Sequence, residues 1–199
     1  AAGVEVKADC FTRVRSYLQR ASQPDGTTRY TVPSGRVDPA MNATGLFLRI
    51  LLGQDRRVRQ NRLAAELVRE QSLELLVEPS ACADGEGREL DNLYQLYYAA
   101  LGMFLYGGAE WRELNPRLRD SVVAAQVKVG DCAVGSWLPV ERPRNGPGYP
   151  RDRVLNTCLA TLILETYFRY LSPDGEHLQV DAELLEALKP TGFDRRLTR

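Results

Sequence analysis

The run Leu90–Tyr106, "LDNLYQLYYAALGMFLY", is apolar around nearly its whole circumference and stops at Gly107-Gly108. A helix of that kind has no solvent face, so other elements must bury it on most sides. Apolar periodicity punctuated by Gly and Pro predicts those covers: six substantial helices and no convincing strand pair. They run Val4–Ala21, Ala40–Leu52, Val58–Val77, Leu90–Tyr106, Asn115–Val127 and Arg151–Leu171. The first carries Phe11, Val14, Tyr17 and Leu18 on one face. The third sets Leu63, Leu67, Leu73 and Leu76 against Arg57, Arg62, Arg69 and Glu70. Asp38-Pro39 opens the second and Gly53 closes it, while Asn115-Pro116 supplies a cap and first position for the fifth.

The odd-numbered helices are therefore amphipathic and the even-numbered ones far more uniformly apolar. An inner ring covered by a half-solvated outer ring needs that alternation, so the expected fold is all-α, with helical hairpins forming an α/α toroid-like, partial-barrel array. Three hairpins of about fifty residues superpose on "AMNATGLFLRILLG" from Ala40, "YYAALGMFLYGG" from Tyr97 and "LNTCLATLILETYFRY" from Leu155. They fill residues 1–171, and residues 172–199 form a polar tail with a short amphipathic helix at Leu178–Lys189. The connections Ser22–Pro39, Glu78–Glu89 and Lys128–Pro150 are long and gather at one end of such an array. Long loops are where function tends to sit.

Composition narrows the partners. With 26 basic and 26 acidic residues in 199, the chain has no electrostatic footprint for nucleic acid or an anionic membrane. The longest apolar stretch, Val154–Tyr170, is interrupted by Glu165 and Arg169, so a buried helix is expected there and no membrane span. No signal peptide is present, and the start at Ala1 leaves a preceding targeting segment open. The compartment is open for the same reason.

The four cysteines have no CxxC spacing, and His177 is the one histidine, so neither a zinc site nor any other metal or cofactor is expected. Cys10 and Cys158 fit small buried hydrophobes within helices. Cys82 and Cys132 lie in loops that follow odd-numbered helices and so emerge at the same end. They are a candidate disulfide, with a quiet or a reactive Cys132 thiol as the alternatives. A bridge would favour an extracytoplasmic location.

Asp91, Asn92, Tyr94, Tyr97 and Tyr98 near the start of the fourth helix, with Asn156 and Thr157 in the sixth and Asn42 and Thr44 in the second, are candidates to line a common inner surface. Polar and tyrosine groups at the mouth of an apolar concavity suit a ligand with one polar end. The structural alternative is that small residues let inner helices approach while tyrosine rings pack. The loop "ERPRNGPGYPRD" lacks the strand and the Gly-Lys-Ser/Thr end of a phosphate loop.

One pattern spans most of the chain: Tyr97-Tyr98 in a helix ending at Gly107-Gly108, Trp111, a helix ending in Gln126, then Cys132, Gly135-Ser136-Trp137 and Pro139. It continues into "RVLNTCLATLILETYFRYL", Arg153–Leu171. It resembles uncharacterised bacterial proteins with prenyltransferase and squalene-oxidase repeats, of the terpenoid cyclase/protein prenyltransferase α/α-toroid superfamily. The resemblance implies structural roles for Gln126, Gly135 and Trp137: the amide satisfies backbone groups at a helix end and the indole covers the turn. It does not extend to chemistry. The Asp-x-Asp-Asp acid of hopene-type cyclases is not reproduced by Asp84, Glu86, Glu89 and Asp91 or by Asp131. The Asp/Cys/His zinc set of the prenyltransferases cannot be built with His177 alone, and Cys132 lacks the downstream Gln of complement-type thioesters.

The function expected is a non-catalytic interaction or scaffold module. The alternative is a ligand-binding or degenerate cyclase-like domain holding an isoprenoid or other apolar molecule in the inner concavity. Complete toroids of the enzymatic relatives use about twice as many hairpins, so three form an arc with apolar flanks. A second copy of the chain, further N-terminal repeats or a partner protein must cover them.

Overall fold

The computed structural model of the chain describes residues 7–32, 35–130, 132–140 and 152–166. Within them lie six α-helices: α1 (Ala8–Ala21), α2 (Pro39–Leu51), α3 (Arg59–Leu73), α4 (Leu93–Tyr106), α5 (Gly108–Ala124) and α6 (Arg153–Leu164). A short 3-10 helix, Pro79–Cys82, stands between α3 and α4. Among the described residues there is no strand; Ser22 with Thr28 and Arg29 with Val37 form isolated antiparallel bridges. The chain is all-α. The first residues of the expected first helix, the "ERPRNGPGYPRD" loop up to residue 151, Asp131, His177, the end of the expected sixth helix and the tail helix Leu178–Lys189 lie outside the described residues.

The hub is α4, which packs on α2, α3, α5 and α6 and most extensively on α2. Ten of its fourteen residues are buried, as its all-round apolar sequence demands. The two helices approach closely at Gly102: a Cβ there would stand 3.2 Å from the Phe47 nitrogen and 3.3 Å from the Ala43 carbonyl oxygen. Leu96 and Met103 are fully enclosed. Truncating either to Ala removes transfer energy and leaves a cavity, a cost of about 2–5 kcal/mol.

The even-numbered helices follow one another as α2–α4–α6, and α3 and α5 pack against each other and against these helices. By contrast, among the described helices α1 touches only α2. Its apolar stripe is buried where Leu18 and Ala21 meet the body. Farther toward the N-terminus Phe11, Val14 and Tyr17 remain 44%, 40% and 42% exposed. The amphipathic pattern there has no described cover.

Three expectations are corrected. The fifth helix begins not at Asn115 but seven residues earlier, at Gly108, and Pro116 lies inside it. Gly107, at φ 71° and ψ −150°, makes a one-residue corner between α4 and α5, and Trp111 packs edge-on against Phe104 at 5.8 Å. That packing holds the early turns in place, whereas Pro116 sits on the exposed side with Arg112, whose carbonyl loses its helical donor where water is available. The sixth helix is one-sided: Val154, Cys158 and Thr161 are exposed along one stripe. Cys158 is therefore not a buried hydrophobe, and Cys10 is only partly covered.

Candidate functional site

The residues proposed from sequence for a common mouth fall into two groups. Asn42, fully buried on α2, accepts the Thr28 amide at its Oδ1 (2.8 Å) and donates from Nδ2 to Gln71 Oε1 (3.3 Å). Gln71 in turn accepts Gln95 Nε2 at its carbonyl, and Gln95 exchanges bonds with Asn92, which caps α4. Asn42 and Asn92 thus belong to one run of amides through Gln71 and Gln95, two residues that pattern reasoning did not single out. Asp91 is half-buried beside this run. The rings of Tyr94 and Tyr97 pack at 4.9 Å and 5.1 Å from Tyr98, which also meets Phe47 of α2 at 6.2 Å. Thr44 is spent locally, its hydroxyl donating to the Ala40 carbonyl.

Asn156 and Thr157, in the first turns of α6, hold the turn after α5. The Trp137 amide donates to Thr157 Oγ1 at 3.3 Å, and Asn156 Nδ2 donates to the Leu138 carbonyl at 2.7 Å. In the same turn Gln126 Nε2 donates to the Gly135 carbonyl at 3.0 Å, and the buried indole of Trp137 donates to the Val122 carbonyl at 2.7 Å. The indole bond satisfies a carbonyl in the last turn of α5, while the Gln126 and Asn156 bonds tie the turn itself.

This turn also meets the loop after α3. The amides of Lys128 and Val129 donate to the Gly85 carbonyl, and the Arg88 amide donates to the Ala125 carbonyl. The two loops therefore share one end of the array, but the candidate disulfide is not formed: all four cysteines are free. Cys82 is buried in the 3-10 helix with its thiol toward the Glu78 carbonyl, while Cys132 sits on the exposed outer turn.

The most unusual side chain is one that pattern reasoning passed over. Arg49, in the last turn of α2, is 4% exposed. Its Nε donates to Asn61 Oδ1 (2.8 Å), and its Nη1 donates to Ser22 Oγ (2.7 Å) and Thr28 Oγ1 (3.2 Å). All three acceptors are neutral, and Nη2 is buried with no acceptor at all. Desolvation holds the guanidinium down to about 10, which leaves it charged at neutral pH. Arg49 forms one wall of a half-open cavity of about 470 Å³ between α1, the end of α2 and the start of α3. A lone arginine in an otherwise apolar helix was its only sequence signal.

Among the described residues no cluster of three or more His, Cys, Asp or Glu side chains has the arrangement of a metal site, and no helix is long and apolar enough to cross a membrane. No protein-family model, curated protein or solved structure matches the chain.

Proposed function

We propose that this chain is a helical interaction module of the α/α-toroid superfamily, an arc of hairpins that offers a binding surface and performs no reaction of its own. Its partner is a second copy of the same chain docked on α1. The observation that carries this is one apolar patch. Phe11, Val14 and Tyr17 continue through the Tyr17 hydroxyl, which donates to the Tyr30 carbonyl, onto exposed Tyr30 and Val37. A monomer rarely leaves so contiguous an apolar surface without a use for it.

The spacing favours self-association. Aromatic residues stand three positions on either side of Val14, so an antiparallel two-fold pairing sets Phe11 of each copy against Tyr17 of the other and Val14 on the axis. Such an isologous contact is self-complementary and closed. The α2–α4–α6 succession supports the arc. Sedimentation velocity over a concentration series tests the proposal, with a dimer growing in as concentration rises.

The tyrosine cluster on α4 favours a second reading, an isoprenoid or other apolar ligand held beside half-buried Tyr94, Tyr97 and Tyr98. Native mass spectrometry after incubation with a polyprenyl lipid tests it. A bound mass with a raised melting temperature supports that reading, and the absence of both removes it.

A further inference from the structure

The Arg49 cavity carries an inference independent of the α1 surface. A buried guanidinium ordinarily meets a carboxylate, because desolvating a cation without a counter-charge costs several kcal/mol. Arg49 meets only neutral oxygens and keeps Nη2 unbonded. The cavity it lines contains a second cation, Arg15, whose Nη2 donates to the Leu52 carbonyl at 3.1 Å and so holds that side chain at the rim. Gln19, Gln54 and Gln60 supply the remaining polar side chains of the wall beside Ser22, with Gln60 Nε2 donating to the Gln23 carbonyl at 2.7 Å, and among the described residues no Asp or Glu lines it. The carbonyls at the end of α2 are already occupied: Leu48, Arg49, Ile50 and Leu52 each accept a bond. Across the cavity Gln60 belongs to the first turn of α3, whose N-cap residue Val58 provides no side-chain cap, so the positive end of that helix adds to the field.

We propose that this cavity binds the anionic group of a small molecule, a carboxylate or a phosphate, with the Arg49 guanidinium as the inner cation and Arg15 as the outer one. The anion supplies the counter-charge that the fold withholds from Arg49. Gln19 and Gln54, which both donate and accept, and the side-chain oxygen of Gln60 are placed to hold a polar body attached to that group. The volume matches the lower range of small-molecule sites. The three bonds of the Arg49 cluster act as positioning contacts: Asn61, Ser22 and Thr28 fix the plane of the guanidinium.

The test uses the whole chain, titrated separately with inorganic phosphate and with acetate, each against chloride at matched ionic strength. Thermal unfolding and the Arg49 Nε–H NMR resonance are followed together. The expected result is a saturable rise in melting temperature with a matching shift of the Arg49 resonance, and the more potent of the two anions identifies the class. Arg15→Gln is expected to weaken binding about tenfold, the scale of one charge-assisted contact. Arg49→Met abolishes it. A response no larger than that of chloride, an Arg49 resonance that does not move, or saturable binding retained in Arg49→Met overturns the proposal. If Arg49→Met does not fold, the wild-type resonance and the Arg15→Gln titration decide the matter alone.

Discussion

The indole Nε1–H of Trp137 donates to the main-chain carbonyl of Val122 at 2.7 Å, with the Trp137 side chain almost completely enclosed. One residue thereby closes the turn after α5 onto the end of the helix it leaves. Trp137→Phe keeps most of the packing and strands that carbonyl, so it is expected to lower unfolding free energy by about 1–3 kcal/mol. Trp137→Ala is expected to cost about 3–5 kcal/mol. Urea unfolding followed by circular dichroism separates the two, and a Trp137→Phe variant as stable as the parent would show that the hydrogen bond contributes nothing.

Asn42 joins the loop before α2 to α3 through Thr28 and Gln71. Asn42→Ala leaves the buried Thr28 amide without its acceptor, an expected loss of about 1–3 kcal/mol by the same measurement. A variant as stable as the parent would mean that this bond contributes nothing to holding the loop.

Gly26 lies against the α3 backbone at φ +91°, where an added Cβ would stand 2.5 Å from the Ala64 nitrogen. Neither the left-handed conformation nor the close approach tolerates a side chain. Gly26→Ala is expected to cost at least about 1–3 kcal/mol, read as a fall in the urea midpoint with an unchanged slope. A midpoint equal to wild type would show that this loop is free to move away from α3.

Asp25 accepts the Thr27 amide and hydroxyl, bonds that hold its carboxyl below its ordinary value of 3.8. With the folded value depressed, its contribution is fully present above the ordinary value and is lost as pH falls through the folded one. The group is exposed and screened, so the contribution is small. Asp25→Asn is expected to be less stable than the parent at neutral pH and to converge with it as acidification passes the depressed folded value. A gap that stays constant with pH would place the effect elsewhere.

These relationships also mark what was legible in the sequence. Helix number and type followed from periodicity, and the burial of α4 followed from its all-round apolar surface. The start of α5 did not: Asn115-Pro116 has the form of a helix entrance, but Trp111 and Leu114 lie buried one turn before it and extend the helix back to the Gly107 corner. The candidate amides were visible as residue types, whereas their partners Gln71 and Gln95 were not, because a hydrogen bond between helices has no spacing rule. Arg49 was hidden for a related reason. A charge in an apolar helix ordinarily marks the solvent face, and only tertiary packing shows that this one points inward. The stripe on α1 was legible as an apolar face, but that nothing described covers its N-terminal half is a property of the fold.

The central claim rests on that stripe, and Phe11→Asp tests it most directly. Phe11 is already exposed, so the substitution is expected to change unfolding free energy by no more than about 0.5 kcal/mol. Sedimentation velocity of both proteins across a concentration series is the deciding measurement. The expected result is a concentration-dependent dimer for the wild-type chain and a monomer at every concentration for Phe11→Asp. A wild-type chain that sediments as a monomer throughout, or a dimer that persists unchanged in Phe11→Asp, would contradict the account.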